Sequence, residues 1–165
     1  MGKSSLLNAI EPELALRVGE VSREKSMLLV APEFVPAALE HLRGQGFTFL
    51  ASVHGVDYFP EEPRLGVHYE LLDMERVDRV TVKLRVHTDA PNVPSVTPNW
   101  PTADHQEREV YDMFGVTFTG HPDHRRILMP EDYVGHPQRR DFPVGGEPVL
   151  FTHNEPTQPG WWEQS

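Results

Sequence analysis

"RVTVKLRVH", Arg79 to His87, decides the fold class. Val80, Val82, Leu84 and Val86 alternate with Arg79, Thr81, Lys83, Arg85 and His87. Successive side chains of a strand point to opposite faces, so this stretch predicts a strand with one apolar and one wet face. The pattern repeats upstream: Val67, Tyr69 and Leu71 alternate, and so do Phe47, Phe49, Ala51 and Val53. Three such runs in succession predict an antiparallel meander whose apolar face is covered by helices. "SMLLVAP" (Ser26 to Pro32) reads as a further, buried strand. Phe34, Ala38 and Leu42 then recur at helical spacing through Glu33 to Gln45, with Pro36 tolerable in the first turn and Gly44 and Gly46 as the stop. A short first helix is expected from Ser4 to Ile10, ended by Pro12. The expected fold is α+β: a small, mostly antiparallel sheet covered by helices over residues 1–88, followed by an extended proline-rich C-terminal arm.

Residues 89–115 read as a loop and a helix. Asp89 to Pro101 holds four prolines and looks linker-like; Thr102 to Phe114 has a helical pattern closed by Gly115. Residues 116–165 contain seven prolines and five glycines, too many for a helix or a central strand. Yet Ile127, Leu128, Met129, Tyr133, Phe142, Val149, Leu150 and Phe151 are too apolar for a disordered tail. An extended, partly apolar segment of this kind is expected to pack on a partner.

Composition narrows the function. A net charge of -10 over 165 residues argues against nucleic acid as a partner, because phosphate contact needs a basic footprint. With no cysteine there is no disulfide, zinc-thiolate site or cysteine-held iron–sulfur cluster. No apolar run reaches the length of a membrane span, and Glu11 and Glu13 break the stretch that a secretory signal would need. A cytoplasmic, soluble chain is expected. "GKSSLLNAI" (Gly2 to Ile10) resembles the tail of a phosphate-binding loop but lacks the preceding glycine and strand. Ser4 or Ser5 as a helix cap accounts for it. "DMFG" (Asp112 to Gly115) has the letters of a GTPase element, but it sits in a helical pattern.

In that helix, Arg108 is four residues from both Asp104 and Asp112 and can pair with either on one helix face. The remaining carboxylates leave two readings open: a solvated charged face, or one acid, Glu107 or Glu109, buried at an interface beside an arginine. The segment from Gly120 to Phe142 contains Gly-His-Pro twice, each followed by paired arginines, Arg125–Arg126 and Arg139–Arg140. His121, Asp123, His124 and His136 are a possible metal set, and with it a metal-dependent hydrolase, although Pro122 interrupts any helix that would align them. The alternative is structural. Each glycine permits a bend, each proline forces its preceding histidine into extended geometry, and the arginines fork onto carboxylates or carbonyls.

"EREVYDMFGVTFTGHPDHRRILMPEDYVGHPQRRDFP" (Glu107 to Pro143) resembles the signature of the 30 kDa subunit family of respiratory complex I. "FTFLASVHGVDY" (Phe47 to Tyr58) resembles the same family's strand ending in aspartate and tyrosine. His124 and Gln138 stand where that pattern has apolar residues, and Tyr133 where it has tryptophan. The resemblance implies a small α/β domain with an extended arm in the hydrophilic limb of a proton-translocating NADH:quinone oxidoreductase. Such a subunit is non-catalytic and binds no cofactor; FMN, iron–sulfur clusters and quinone lie in partner subunits. Its arm packs on the quinone-site subunit of 49 kDa type and on adjacent cluster-bearing subunits. It meets the membrane only through the complex, peripherally, on the cytoplasmic side of the cell inner membrane. The alternative within the family is the same role in a related complex fed by ferredoxin, F420H2 or hydrogen. The interface residues expected on this reading are Glu107, Arg108, Glu109, Asp112, His121, Arg125, Arg126, Arg139, Arg140 and Asp141.

Overall fold

The computed structural model describes residues 21–24 and 27–143. Strand β1 (Val21–Glu24) pairs antiparallel with β2 (Met27–Val30). A 3-10 turn (Pro32–Phe34) leads into helix α1 (Val35–Gly44), with proline in its first turn as expected. Strands β3 (Phe49–Asp57), β4 (Leu65–Asp73) and β5 (Asp78–Val86) form the antiparallel meander. Because β2 lies parallel to β5, the sheet is mixed, in the order β1-β2-β5-β4-β3. One face collects Leu28, Val30, Leu50, Val53, Val67, Tyr69, Leu71, Val80, Val82 and Leu84, all buried. Ala38, Leu39 and Leu42 of α1 belong to the same core.

Several expectations need correction. Phe34 and Phe49 are exposed and Ala51 is not inward; Phe47 and Val53 are buried as expected, and Leu50 joins them. A register shift between Leu50 and Ser52 leaves Ala51 as an extra residue, and that bulge breaks the period of two. The second face is not uniformly wet, since Thr81 and Lys83 are buried on it together with His68 of β4. The Asp89–Pro101 stretch is no linker: Val93, Val96 and Trp100 are core residues, and Asn92–Pro94 forms β6. Strand β6 pairs parallel with β7 (Thr117–Thr119), with helix α2 (Ala103–Phe114) as the crossover between them. Short β7 is thus a strand within the predicted arm. Proline at the end of β6 and the brevity of both strands suit an isolated two-stranded unit. The expected helix at residues 4–10 and the apolar residues Val149, Leu150 and Phe151 fall outside the described residues.

Helix α2 packs on β3. Val110 and Met113 are buried and Phe114 is partly so, giving the apolar stripe that the sequence predicts. Gly115 ends the helix in the left-handed conformation (φ 77°), its N–H donating to the Tyr111 carbonyl at 2.8 Å.

Candidate functional site

After β7 the chain turns at Gly120 and runs back along α2 as an irregular strap, residues 120–143. The helix and the strap hold each other by an ordered series of polar contacts. Arg108 pairs with neither Asp104 nor Asp112. Its Nε donates to the carbonyl of Arg125 at 3.1 Å, and Nη2 donates to that of Arg126 at 3.1 Å. An i,i+4 helix pair is worth only a few tenths of a kcal/mol, so two strap carbonyls can outweigh it.

Asp112 is the centre of the arrangement. It is fully buried, and its Oδ2 accepts the consecutive backbone N–H groups of Ile127 (3.1 Å), Leu128 (2.8 Å) and Met129 (2.8 Å). Its Oδ1 accepts from the Arg126 guanidinium. Burial alone would push this carboxyl up, but the three amides and Arg126 hold it below the ordinary aspartate value. The second Gly-His-Pro then caps the helix. The last carbonyls of an α-helix have no partner within it; here the Asp112 carbonyl meets His136 Nδ1 at 3.0 Å, the Met113 carbonyl accepts from Gln138 N–H at 3.2 Å, and the Phe114 carbonyl accepts from Arg139 Nε at 2.7 Å. The cations Arg126 and Arg139 thereby sit at the negative end of the helix dipole. A Cβ on Gly115 would lie 2.5 Å from His136 Nε2, so the strap can close on the helix only because that position is glycine.

The first Gly-His-Pro secures the opposite end. His121 Nε2 lies 3.1 Å from the Asp104 carbonyl, while Nδ1 accepts the Asp123 N–H at 3.0 Å. His124 Nε2 accepts the Phe118 N–H at 3.1 Å, and burial pushes its pKa down. Tyr111 lies between the two copies, its ring centroid 4.1 Å from that of His124 and 6.2 Å from that of His136. Among the described residues, no three His, Cys, Asp or Glu side chains are placed to hold a metal ion. The histidines of the possible metal set are instead engaged with backbone groups.

The open question about the helix carboxylates is answered by Glu107. It is fully buried, but with no arginine beside it: Oε2 accepts from Ser95 Oγ at 2.7 Å and Oε1 from Val96 N–H at 2.9 Å. Burial pushes its carboxyl above the ordinary value against the pull of those two bonds. His121 Nε2 stands 3.9 Å away. Glu109, by contrast, is exposed.

The far end of the strap is tied to the sheet, in part by Asp57, marked in the sequence only as the aspartate ending its strand, and by Arg64, which the sequence did not single out. Arg64 is buried between two carboxylates, donating to Asp57 at 2.8 Å and 2.7 Å and to Asp141 at 2.8 Å. Arg140 donates its N–H to Asp57 at 2.7 Å and its Nη1 to the Phe59 carbonyl at 3.0 Å. Hydrogen bonding from Arg64 is the largest cause holding both Asp57 and Asp141 below the usual carboxylate range. Arg125 forks onto Asp123 at 2.6 Å and 2.8 Å, and Asp123 is lowered to about 2. Of the ten expected interface residues, all but Glu109 therefore have partners among the described residues. The strap's outer surface carries Ile127, Leu128 (60% exposed) and Val134 (88% exposed).

Residues 28–148 match the family model described as respiratory-chain NADH dehydrogenase, 30 kDa subunit. The C subunit of the NADH-quinone oxidoreductase of Herpetosiphon aurantiacus is 46% identical over 143 residues, spanning 85% of this chain and 83% of that one. Its counterpart from a Roseiflexus strain is 43% identical over 152 residues, spanning 90% and 87%. A solved trypsin-resistant fragment of Nqo5 superposes with a TM-score of 0.60 at 31% identity, covering 73% of this chain and 97% of the fragment. A chain of an archaeal membrane-bound sulfane sulfur reductase shares the fold, with a TM-score of 0.66 at 22% identity over 86% of this chain and 85% of its own. The chain belongs to the respiratory-chain NADH dehydrogenase 30 kDa subunit family, in which the C subunits of bacterial NADH-quinone oxidoreductases are its relatives.

Proposed function

We propose that this chain is a non-catalytic structural subunit in the hydrophilic arm of a proton-translocating NADH:quinone oxidoreductase. It acts as a rigid adaptor whose strap packs on the quinone-site subunit and helps seat the neighbouring cluster-bearing subunits. FMN, iron–sulfur clusters and quinone belong to those partners, and the chain reaches the membrane peripherally, on the cytoplasmic side, through them.

The observation that carries this reading is the division of labour in the strap. Arg126, His136 and Arg139 turn their polar groups inward on α2, leaving apolar Leu128, on a backbone fixed by Asp112, and Val134 outward. A pre-ordered apolar ridge loses little conformational entropy on docking, which suits a permanent contact between subunits. No helix among the described residues is long and apolar enough to cross a membrane, which fits attachment through other subunits.

The test is to carry Leu128→Asp and Val134→Asp together in the tagged chain, expressed in its native host, and to identify what co-purifies from gently extracted membranes. Wild type is expected to bring down quinone-site and cluster-bearing subunits. The double variant is expected to lose them by tenfold or more while keeping its folded circular-dichroism spectrum. Undiminished recovery with the variant, or wild type purified alone, would sink the reading.

A further inference from the structure

Strand β3 is the last strand of the sheet, and its outer edge borders a cleft of about 340 Å³ against α2. Residues 51–55 form one wall, and Gln106, Glu109 and Gln138 stand on the other. The hydrogen-bond alternation decides which groups look into it. Tyr58 N–H donates to the Arg64 carbonyl, and Val56 and His54 are opposite Gly66 and His68, so those residues turn toward β4. Val53, Gly55 and Asp57 therefore turn their N–H and C=O groups outward. The Asp57 end is covered by Arg140 of the strap, and the Val53 N–H is taken by the Gln106 side-chain oxygen. What remains open is the Val53 carbonyl and both backbone groups of Gly55, with the exposed carboxylate of Glu109 facing them across the cleft.

An unpaired edge of this kind is a template for strand addition; the Phe114 ring of α2 lies against Gly55, and among the described residues no hydrogen bond is made to these rungs. We infer that the cleft takes an extended segment of a different polypeptide, which adds main-chain hydrogen bonds to Gly55 and the Val53 carbonyl and sets a lysine or arginine on Glu109. Charge selects the occupant. The chain's own residues 144–165 contain Glu147, Glu155 and Glu163 and no lysine or arginine. A second copy would bring another net charge of -10. Neither suits a cleft whose one unpaired ion, among the described residues, is a carboxylate, whereas a basic strand from a partner meets both requirements. The inference rests on the chain's being a subunit of a larger assembly, but on a surface separate from the strap ridge.

Hydrogen–deuterium exchange on the peptide spanning residues 49–57 tests it, comparing the native complex with the purified full chain. In the complex, exchange of the Gly55 amide within this peptide is expected to slow at least tenfold. Glu109→Lys is expected to restore fast exchange there while the strap peptide around residues 125–135 stays protected and the other subunits still co-purify. Equal exchange in complex and free chain overturns the inference, as does protection that Glu109→Lys leaves unchanged. Slow exchange in the dilute free chain points to the chain's own ends, and slowing that appears only at high concentration of the free chain points to a second copy; either result also overturns it. A chain that co-purifies with nothing would overturn both the inference and the proposed function. Loss of the cleft result alone leaves the function standing.

Discussion

Asp112 shows how much structure one carboxylate can organise. Its two oxygens accept from four donors, Oδ2 from three successive amides and Oδ1 from Arg126, a demand that suits an ionised, inward-pointing acid. Asp112→Ala would leave those donors buried and unpaired, at about 1–3 kcal/mol for each one that water cannot reach. Because the strap can lift away to rehydrate them, a net loss of about 2–4 kcal/mol is expected. The check is chemical denaturation, together with faster tryptic cleavage at Arg125 and Arg126. The sequence marks Asp112 as functional by family resemblance but carries no sign of its partners, because three of the four are backbone groups with no residue signature.

His124 makes a pH-dependent prediction at the same scale. Its Nε2 must be unprotonated to accept from Phe118, and burial lowers its pKa below that of the unfolded chain. The folded state therefore binds fewer protons, so this residue's contribution is full above the unfolded value of about 6.5 and is lost as pH falls toward the lower folded value. Glu107 works in the opposite sense, since its raised pKa favours the folded state at lower pH. Comparing His124→Gln with wild type isolates the histidine. Between pH 7.5 and 5.5 the variant is expected to lose less stability than wild type, read as the shift in urea midpoint. An identical shift would mean that His124 does not titrate across folding.

At the scale of elements, the meander is legible because β4 and β5 keep strict alternation under one buried face. The β3 register is not legible, because a one-residue bulge leaves no mark in composition and moves every later side chain to the other face. The β6–α2–β7 unit is hidden by its prolines, which read as punctuation, although Pro94 only ends a three-residue strand. Helix α2 can be read in full, yet its pairing cannot. Local spacing offers Arg108 two aspartates, and the fold instead gives it the carbonyls of a segment 17 and 18 residues away. The repeated Gly-His-Pro is separated from helix and strand by its chemistry. That its polar groups return to this chain's own helix cannot be read from spacing, since a fork of arginine donors fits carbonyls of any origin.

For the molecule as a whole, the question is what keeps sheet and strap one body, and the answer rests on Arg64. Its two partners are unequal: Asp57 is almost wholly buried, whereas half of the Asp141 side chain meets solvent. Breaking a buried pair strands the remaining charge and costs about 3–5 kcal/mol, while a half-exposed pair is screened to about 1 kcal/mol or less. Asp57 also accepts the Arg140 amide, so it serves the sheet and the strap together. Asp57→Asn is therefore expected to lower global stability by about 3 kcal/mol and to free the strap. Asp141→Asn is expected to leave the urea midpoint nearly unchanged while releasing only the strap's end, seen as several-fold faster tryptic cleavage after Arg139 or Arg140. Both carboxyls are held below their unfolded values, so their contribution is complete above a pH of about 4 and disappears as pH falls through the lowered folded values. Equal global losses from the two variants would mean that sheet and strap unfold as a single unit and that the end of the strap has no independent motion. Unequal losses with selective cleavage would make Arg64 the joint at which a rigid domain passes into the segment that meets its partners.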